Sequence, residues 1–454
     1  MKPISWSHQI LLSLLLLTTG LLIFSRLKMT TTNIMHVNKV ENILPYRTIR
    51  IPKNVIEIIF NFKSKIFLID PYLLAEFLNP EQINQLRWRY NLKLMKFNES
   101  ECSTTFGIFD YNQEEFHGLL DKQNITFERY ESHYPFDSNN NNVSIHTVFH
   151  LNGWTIHTLI FYHVEHFLWT GKIPPFNHST AIQFGQFEQI FDPFKIRFID
   201  IIPVPDDIEY FLSQLSTSRY LHCSTYKMNW FRQHQIPFSE QRIRNTIEAI
   251  ITMKSLMKEL RMEFWIMCGT LLGWFRHCHP IPYTTDNDLS TWSKYFQTEV
   301  GGEGDISNKL KSLAPKHGLS LYYRFGEPSQ TLEYSFRTQF YDEKIDLFVM
   351  YEGGNDSYLI PSHVTRKKQY RNYRYQQYDL CSIQLLGHKL LAPCQTEQVI
   401  QNEYGSEWNI PIKDWDYVSS PSNGDEMKNF SFPIDQYTEY SRLHRQNEMI
   451  IGYD

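Results

Sequence analysis

Residues 264–289 read FWIMCGTLLGWFRHCHPIPYTTDNDL, and the order of apolar, glycine-containing and acidic segments in this stretch decides the fold. The apolar run 264–267 predicts a short buried strand. Gly269 and Thr270 then predict a turn, and residues 271–276 a helix. Backbone N–H groups at such a helix start can hold a phosphate, and glycine permits close approach. The stretch therefore predicts α/β structure with an anion-binding turn.

An acidic pair, Asp286 and Asp288, closes this stretch. On an extended strand, residues i and i+2 point to the same face, so the two carboxylates are expected to converge. Like charges this close raise each other's pKa unless a cation lies between them. Mg²⁺ or Mn²⁺ accepts oxygen ligands of this kind. By itself, however, a D-x-D pattern is also common in solvated turns, so the pair alone does not establish a metal site.

A third acid, Asp346, lies inside the apolar run 344–350, which predicts another buried strand. A buried and unpaired carboxylate is costly, so it requires a metal, a partner or a raised pKa. The order of strand, Gly-Thr turn, helix, D-x-D strand and third acidic strand resembles the nucleotidyltransferase superfamily that includes polymerase β. In that superfamily three acids hold two metal ions. We therefore predict a Mg²⁺ or Mn²⁺ site formed by Asp286, Asp288 and Asp346.

The chain is also similar to a narrower family. Residues 265–276 and 281–289 resemble the signature of the LicD/fukutin family. Further similar stretches lie at residues 67–71, 344–348, 404–411 and 413–416. The resemblance thus covers nearly the whole chain and is denser after residue 235. One departure is Cys268, which stands where fukutin-type members have Ser and would weaken any hydroxyl contact there.

This resemblance implies an activity and a set of site residues. It implies a type II Golgi membrane protein that transfers ribitol 5-phosphate from the donor CDP-ribitol to the phosphorylated O-mannosyl glycan of α-dystroglycan. Asp286, Asp288 and Asp346 match the aspartates of the family motif. Gly269 and Thr270 would hold the donor phosphate. Fukutin-related protein and other Golgi glycosyltransferases are the implied partners, and no nucleic acid is expected.

Several alternatives stay open on the sequence alone. Arg276 would neutralise the leaving cytidine phosphate, or it is a structural residue paired with an acid. The function is a ribitol-phosphate transferase, a LicD-like phosphotransferase with another CDP-activated donor, or a non-catalytic Golgi scaffold for glycosyltransferases. The intact acidic triad argues against the scaffold, because a site that has lost its function tends to lose costly buried acids.

The composition suits a large folded enzyme. The 454 residues are 42% hydrophobic and 15% aromatic, and the formal net charge of −5 argues against a general nucleic-acid binder. We predict an α/β (α+β) protein whose C-terminal catalytic domain is polymerase β-like with a mixed sheet. The predicted segments are a cytoplasmic tail (1–9), a transmembrane signal anchor (10–24), a stem (25–50), an N-terminal lumenal α/β domain (51–234) and a LicD-like catalytic domain (235–454).

The N-terminus carries the compartment signal. Residues 10–24 are uncharged and mostly apolar, and no small-x-small cleavage site follows them, which favours an anchor over a cleaved signal peptide. We expect a single-pass type II protein of the Golgi membrane. Six N-x-S/T triplets support a lumenal body; they begin at Asn98, Asn124, Asn142, Asn177, Asn355 and Asn429.

Cysteines and aromatic residues leave further choices. The six cysteines allow one or two disulfides, and Cys381 and Cys394 are one possible pair, although sequence does not determine connectivity. His277 and His279 flank Cys278, but this spacing is too tight for shared metal coordination. Residues 366–375 interleave basic and tyrosine side chains, which fits either a glycan contact or a solvated edge strand.

Overall fold

The computed structural model describes residues 65–92, 103–137, 141–151, 153–173, 184–223, 239–296, 306–364, 367, 369–412 and 415–429. All of these belong to one unit, Asn54–Asp454. The predicted tail, anchor and stem (1–50) lie outside the described residues, as does the predicted domain boundary at residue 234. Within the described ranges, helix length and apolar content nowhere reach what a membrane crossing requires.

The N-terminal region is built on a five-stranded mixed sheet. Its strands are β1 (Lys65–Leu68), β2 (Ser103–Phe109), β3 (Phe127–His133), β4 (Asn142–Leu151) and β5 (Trp154–Ile160). They are ordered β1-β2-β5-β4-β3, and only β2 and β5 run parallel. The helices are α1 (Pro71–Ala75), α2 (Pro80–Tyr90) and α3 (Gln113–Lys122). Asn79 and Gln82 form a capping box that starts α2.

Smaller elements follow this sheet. Three antiparallel strands form one small sheet, namely β6 (Tyr162–Val164), β7 (Phe167–Thr170) and β8 (Gln189–Phe191). A hairpin of β9 (Ile196–Ile199) and β10 (Ile202–Pro205) leads to α4 (Ile208–Gln214) and β11 (Tyr220–Leu221). The chain leaves the first sheet at Phe161, between β5 and β6, and continues into the second.

An eight-stranded mixed sheet forms the C-terminal region. Its strands are β12 (Phe264–Ile266), β13 (Asp286–Trp292), β14 (Leu319–Phe325), β15 (Glu333–Thr338), β16 (Lys344–Gly353), β17 (Ser357–Val364), β18 (Gln369–Gln376) and β21 (Lys428–Asn429). The main path is β12-β13-β16-β17-β18-β21, and β15 pairs with both β14 and β16. The helices are α5 (Glu240–Glu259), α6 (Cys268–His277), α7 (Ile306–Leu313) and α8 (Thr396–Tyr404).

A hairpin joins the two regions. Its strands, β19 (Leu380–Leu385) and β20 (His388–Pro393), pair with each other, and β11 from the N-terminal region adds to β19 in parallel. Side chains reinforce this contact: Asp192 forms ion pairs with Lys254 and Lys389. These contacts tie the N-terminal strands to the C-terminal sheet within one unit.

The buried core of the C-terminal region includes one face of a long helix. Helix α5 buries Ile250, Met253 and Leu256, which recur at helical spacing, against the sheet, and the Ser239 hydroxyl caps its first turn. Trp265 and Trp274 are buried in the same core. The prediction of a mixed α/β fold is therefore confirmed, and both tryptophans are core residues.

Two disulfides lie among the described residues. Cys381–Cys394 joins the outer ends of β19 and β20, which confirms the suggested pair. Cys223–Cys278, which the sequence did not suggest, links the chain after β11 to the end of α6. Cys268 is a free thiol. The asparagines of four of the six glycosylation triplets fall in the described ranges, and all four are exposed: Asn124, Asn142, Asn355 and Asn429.

Candidate active site

The register between β13 and β16 brings the three predicted acids together. The two strands are parallel, and Asp288 lies directly opposite Asp346 while Asp286 lies opposite Lys344. One carboxylate oxygen from each of the three aspartates lies within 4.8 Å of the other two. Because side chains at i and i+2 share a face, Asp286, Asp288 and Asp346 project from the same face of the sheet.

The first turn of α6 holds one of these acids. The backbone N–H of Gly269 donates to Asp288 Oδ2 at 2.8 Å, and the N–H of Asp288 donates to Thr270 Oγ1 at 2.8 Å. A Cβ built on Gly269 would lie 3.0 Å from the same Asp288 oxygen. A side chain at this position would therefore crowd the Asp288 carboxylate, which would have to shift by a few tenths of an ångström.

This arrangement differs from the predicted phosphate-binding turn. The helix begins at Cys268, not at Leu271, so Gly269 and Thr270 belong to its first turn. Free N–H groups at a helix start attract the nearest anion, and the nearest anion here is the carboxylate of Asp288. Both residues reach the site, but in this structure they position an acid of the triad.

Hydrogen bonds also orient the other two acids. The Thr284 hydroxyl donates to Asp286 Oδ1 at 2.9 Å. The Ser335 hydroxyl, from the neighbouring strand β15, donates to Asp346 Oδ1 at 2.7 Å. Sequence analysis missed both residues. Thr284 carries a weak local signal, since it lies two positions before Asp286, whereas only strand pairing brings Ser335 opposite Asp346.

A lysine supplies positive charge to the triad. Lys344 Nζ lies 2.6 Å from Asp346 Oδ2 and 3.8 Å from Asp286 Oδ2. Burial lowers the pKa of Lys344, but the neighbouring carboxylates outweigh that effect and raise it, so the side chain stays an ammonium. Its position two residues before Asp346 on the same strand was a usable signal that sequence analysis did not take up.

One ammonium does not balance three clustered acids, of which Asp346 is buried and Asp286 and Asp288 are partly buried. Burial raises the pKa of Asp288 well above its usual value, and the charges of Asp286 and Asp346 raise it further. Burial raises the pKa of Asp346 to about 6, although Lys344 opposes the shift. All the ligand atoms that the triad offers are carboxylate oxygens, and a bound cation would offset the raised pKa values of Asp288 and Asp346. Such a site fits a hard divalent cation such as Mg²⁺ or Mn²⁺. The residues present therefore fit the predicted metal.

A buried carboxyl on a neighbouring helix also affects the site. Glu403 on α8 is buried, which raises its pKa, and it accepts a hydrogen bond from the Tyr375 hydroxyl at 2.8 Å. Its charge is among the influences that raise the pKa of Asp288. Nothing in the sequence around Glu403 marked this role, because the contact depends on how α8 packs against α6.

Arg276 lies buried at the end of α6 and has no acidic partner among the described residues. Its guanidinium donates to the Trp408 carbonyl at 3.2 Å, to His277 Nε2 at 3.1 Å and to the Tyr283 hydroxyl at 3.4 Å. The structure thus places it as a link between α6 and the segment after α8. The expected partner acid is replaced by a carbonyl, a ring nitrogen and a phenol.

The remaining candidate features have structural partners. Cys278 is held in a disulfide, which agrees with the rejection of a metal cluster with its two neighbouring histidines. The basic segment forms strand β18, where Arg371 donates to the Val418 carbonyl and Arg374 to Ser357 and Asp425. Its described arginines are therefore bound within the protein.

The domain that contains this site is similar to a known protein family. Residues 261–395 match the family described as LicD/FKTN/FKRP, nucleotidyltransferase domain. The chain is 26% identical over 427 residues to the human protein named ribitol-5-phosphate transferase FKTN, covering 87% of this chain and 88% of that protein. The mouse protein of the same name is 26% identical over 411 residues, covering 84% and 85%.

A more distant relative covers less of the chain. The uncharacterized Caenorhabditis elegans protein W02B3.4 is 25% identical over 252 residues, covering 54% of this chain and 61% of that protein. The matched domain contains α6, both aspartates of β13 and Asp346. The chain therefore carries a domain that matches the LicD/FKTN/FKRP family and includes the whole acidic triad, and it is similar to the FKTN proteins along most of its length.

Proposed function

We propose that this enzyme transfers ribitol 5-phosphate from CDP-ribitol to a phosphorylated O-mannosyl glycan, with α-dystroglycan as the glycoprotein acceptor. The chain is a transferase by its family, and its curated mammalian relatives carry the name ribitol-5-phosphate transferase. The observation that carries the proposal is the convergence of Asp286, Asp288 and Asp346 within 4.8 Å. Three acids in this arrangement suit a reaction on a pyrophosphate-containing donor.

The three acids of the triad have different proposed roles. Asp286 and Asp288 would hold Mg²⁺ or Mn²⁺, which when bound neutralises the negative charge of the donor phosphates. Gly269 and Thr270 keep Asp288 in place through their two hydrogen bonds. The attacking hydroxyl oxygen forms a bond to the phosphorus of ribitol phosphate as the bond to cytidine monophosphate breaks, and Asp346 accepts the hydroxyl proton.

Asp346 is suited to accept that proton. Its pKa of about 6 allows it to be ionised near neutral pH while it still binds a proton well enough to assist the transfer. The Ser335 hydroxyl holds one of its oxygens, and the Lys344 ammonium lies at the other. Both contacts orient the carboxylate toward the shared face of the triad.

We further propose that the enzyme acts in the Golgi lumen, held by an anchor at residues 10–24. The uncharged apolar run supports an anchor, and the exposure of the four described glycosylation triplets is compatible with a lumenal body. Fukutin-related protein and other Golgi glycosyltransferases are the proposed partners in the same glycan pathway.

The test is transfer by the full chain in detergent, with CDP-ribitol, CDP-glycerol and CDP-choline offered separately in the presence of Mg²⁺. We expect turnover with CDP-ribitol and a loss in Asp288→Asn. Removal of a metal ligand costs several kcal/mol of charge stabilisation, which is roughly a hundredfold or more in turnover. Asp342→Asn is the matched control, since Asp342 is exposed on the turn before β16 and asparagine tolerates its positive φ of 54°.

Three outcomes would contradict the proposal. Wild-type turnover in Asp288→Asn would exclude the metal-binding role of this residue. Preference for CDP-glycerol or CDP-choline would identify a phosphotransferase with another donor. Absence of transfer from all three donors, together with no thermal stabilisation by a cytidine diphosphate ligand and Mg²⁺, would favour a non-catalytic scaffold.

A further inference from the structure

A second concave surface lies at the opposite end of the strands that carry the acids. It is a groove with a volume of about 790 Å³, bounded by Trp292 at the end of β13 and Glu352 near the end of β16. Trp292 ends β13, six residues after Asp286 and four after Asp288, so a strand rise of about 3.3 Å per residue separates the groove from these two acids by roughly 13 to 20 Å. We call it the aromatic groove.

One wall of the aromatic groove is a set of stacked rings. Trp292 packs on the buried Trp265 with ring centroids 4.4 Å apart, and on Tyr358 at 5.1 Å. The Trp292 indole N–H donates to Glu263 Oε2 at 3.1 Å, which prevents the ring from turning. Trp292 and Tyr358 are only half-buried, so a fixed aromatic surface faces the groove.

The facing wall comes from the N-terminal region. Phe187 is 44% exposed, and the Arg219 guanidinium lies 4.5 Å from the centre of its ring. The Trp88 ring packs on Tyr295 with ring centroids 6.0 Å apart, and the Trp88 carbonyl accepts a hydrogen bond from Lys294 Nζ at 3.0 Å. Aromatic side chains from both the N-terminal and the C-terminal region therefore line the aromatic groove, and the Trp292 ring is held in place before any ligand arrives.

Polar groups between these walls are available to a ligand. In the described part of the chain, the carboxylates of Glu352 and Asp379 and the guanidinium of Arg87 have no hydrogen bond or ion pair, and all three residues are exposed. Glu352 lies opposite Tyr358 in the pairing of β16 with β17. Free carboxylates beside aromatic rings can accept hydrogen bonds from hydroxyl groups.

The charges of the aromatic groove indicate what kind of ligand it accepts. Three cations, Arg87, Arg219 and Lys294, face three acids, Glu263, Glu352 and Asp379. Burial raises the pKa of Glu263 to about 7, so this acid is only partly ionised at neutral pH. The two exposed carboxylates still offset most of the positive charge, which leaves little attraction for a phosphate or another strong anion. A sugar ring instead offers C–H groups for the negative face of an aromatic ring and hydroxyls for the carboxylates.

We propose that the aromatic groove is a binding site for an uncharged oligosaccharide, separate from the acidic triad. The site goes beyond the proposed transfer reaction and does not depend on it, because none of its residues belongs to the triad. It would hold a neutral part of a glycan against the junction of the two sheets.

Ligand-observed NMR tests this proposal on the full chain in detergent. Saturation of the aromatic protein signals is expected to transfer to the ring protons of mannotriose or of tri-N-acetylchitotriose, and not to sucrose octasulfate. Phe187→Ala is expected to weaken binding about three- to tenfold, the range for loss of one aromatic contact. Phe340→Ala is the matched control, because Phe340 is 83% exposed and lies away from the groove. Glu352→Gln is expected to weaken binding as well.

Binding is also measured on Asp288→Asn, which is expected to bind the trisaccharides as the wild type does. This result separates failure of the proposed transferase from failure of the groove. Absence of saturation transfer to both neutral trisaccharides in the wild type would overturn the proposal. A groove already occupied by a segment of the chain itself would also give no saturation transfer, and would overturn the proposal too. Equal weakening by Phe340→Ala, or preferential binding of sucrose octasulfate, would also overturn it.

Discussion

The two ends of strands β13 and β16 carry opposite kinds of chemistry. At the start of the strands, Asp286, Asp288 and Asp346 crowd together, with Lys344 as the nearby ammonium. At the other end, acids and bases are balanced around half-buried aromatic rings. The same pair of strands thus supports one site with unbalanced negative charge and one that is close to neutral.

The difference shows how burial and charge separate a catalytic centre from a binding surface. At the acidic end, burial raises the pKa of both Asp288 and Asp346, and neighbouring carboxylates raise that of Asp288 further, so a bound cation would favour the ionised form of both. At the aromatic end, Glu352 and Asp379 remain exposed, so water solvates their charges without a metal. Variants at the two ends should therefore fail in different ways.

The largest effect is expected at Asp346. Asp346→Asn keeps the size of the side chain but removes the proton acceptor, so turnover should fall on the order of 100- to 10,000-fold. Trisaccharide binding in the aromatic groove should stay unchanged. Turnover under saturating donor and NMR binding measure the two ends separately. A parallel loss of both would show that the two ends do not act independently.

A smaller effect is expected at Gly269. In Gly269→Ala the new Cβ would lie 3.0 Å from Asp288 Oδ2, so the carboxylate must shift by a few tenths of an ångström. Because small misplacements in an active site are costly, we expect turnover to fall roughly tenfold while the protein stays folded. The apparent affinity for Mg²⁺ should fall with it.

Gly354→Ala is the control for this variant. A Cβ on Gly354 has no atom within 4 Å, and the residue lies on the exposed turn between β16 and β17. Its turnover should match the wild type. If Gly269→Ala were as active as Gly354→Ala, the contact between the α6 turn and Asp288 would have no role in catalysis.

The smallest effect concerns stability and pH. A carboxyl with a raised pKa binds its proton more tightly when folded, so it contributes stability at low pH that is lost as pH rises through the folded value. For Asp346 this loss falls between its ordinary pKa of 3.8 and about 6. In EDTA, the unfolding free energy of the wild type should therefore decrease over this range more than that of Asp346→Asn.

Adding Mg²⁺ gives a second test of this pH dependence. Mg²⁺ binds the ionised acids of the folded protein, so saturating Mg²⁺ should remove most of the difference in pH dependence between the wild type and Asp346→Asn. Glu263, at the aromatic end, has a pKa raised to about 7 by burial, and Glu263→Gln reports on it. The difference in pH dependence of unfolding between Glu263→Gln and the wild type should not change when Mg²⁺ is added. Thermal unfolding at each pH measures both, and a Mg²⁺ response in Glu263→Gln would contradict the comparison.

Much of the acidic site was predictable from sequence because it depends on local patterns. Alternation along a strand places Asp286 and Asp288 on one face, and an apolar run identifies Asp346 as buried. The core helix α5 and the short strand β12 follow from periodicity in the same way. Each of these features lies within a few residues along the chain.

Other features depended on contacts between distant residues. The sequence suggested that Gly269 would meet a phosphate, whereas the packing of α6 on β13 gives its N–H to Asp288. It left Arg276 either as a residue that neutralises the leaving cytidine phosphate or as one paired with an acid; in the structure Arg276 bonds to the Trp408 carbonyl and two side chains near α6. Ser335 reaches Asp346 only through the pairing of β15 with β16.

The sequence by itself determined which residues could form a metal site, because the types and spacing of the acids specify their chemistry and their common strand face. Only the tertiary structure decided that Asp288 faces Asp346, since the register of two parallel strands is set by packing far from either residue. The same holds for the aromatic groove, whose walls come from Phe187 and Trp292. No local pattern joins residues so far apart, and the folded sheets bring them together.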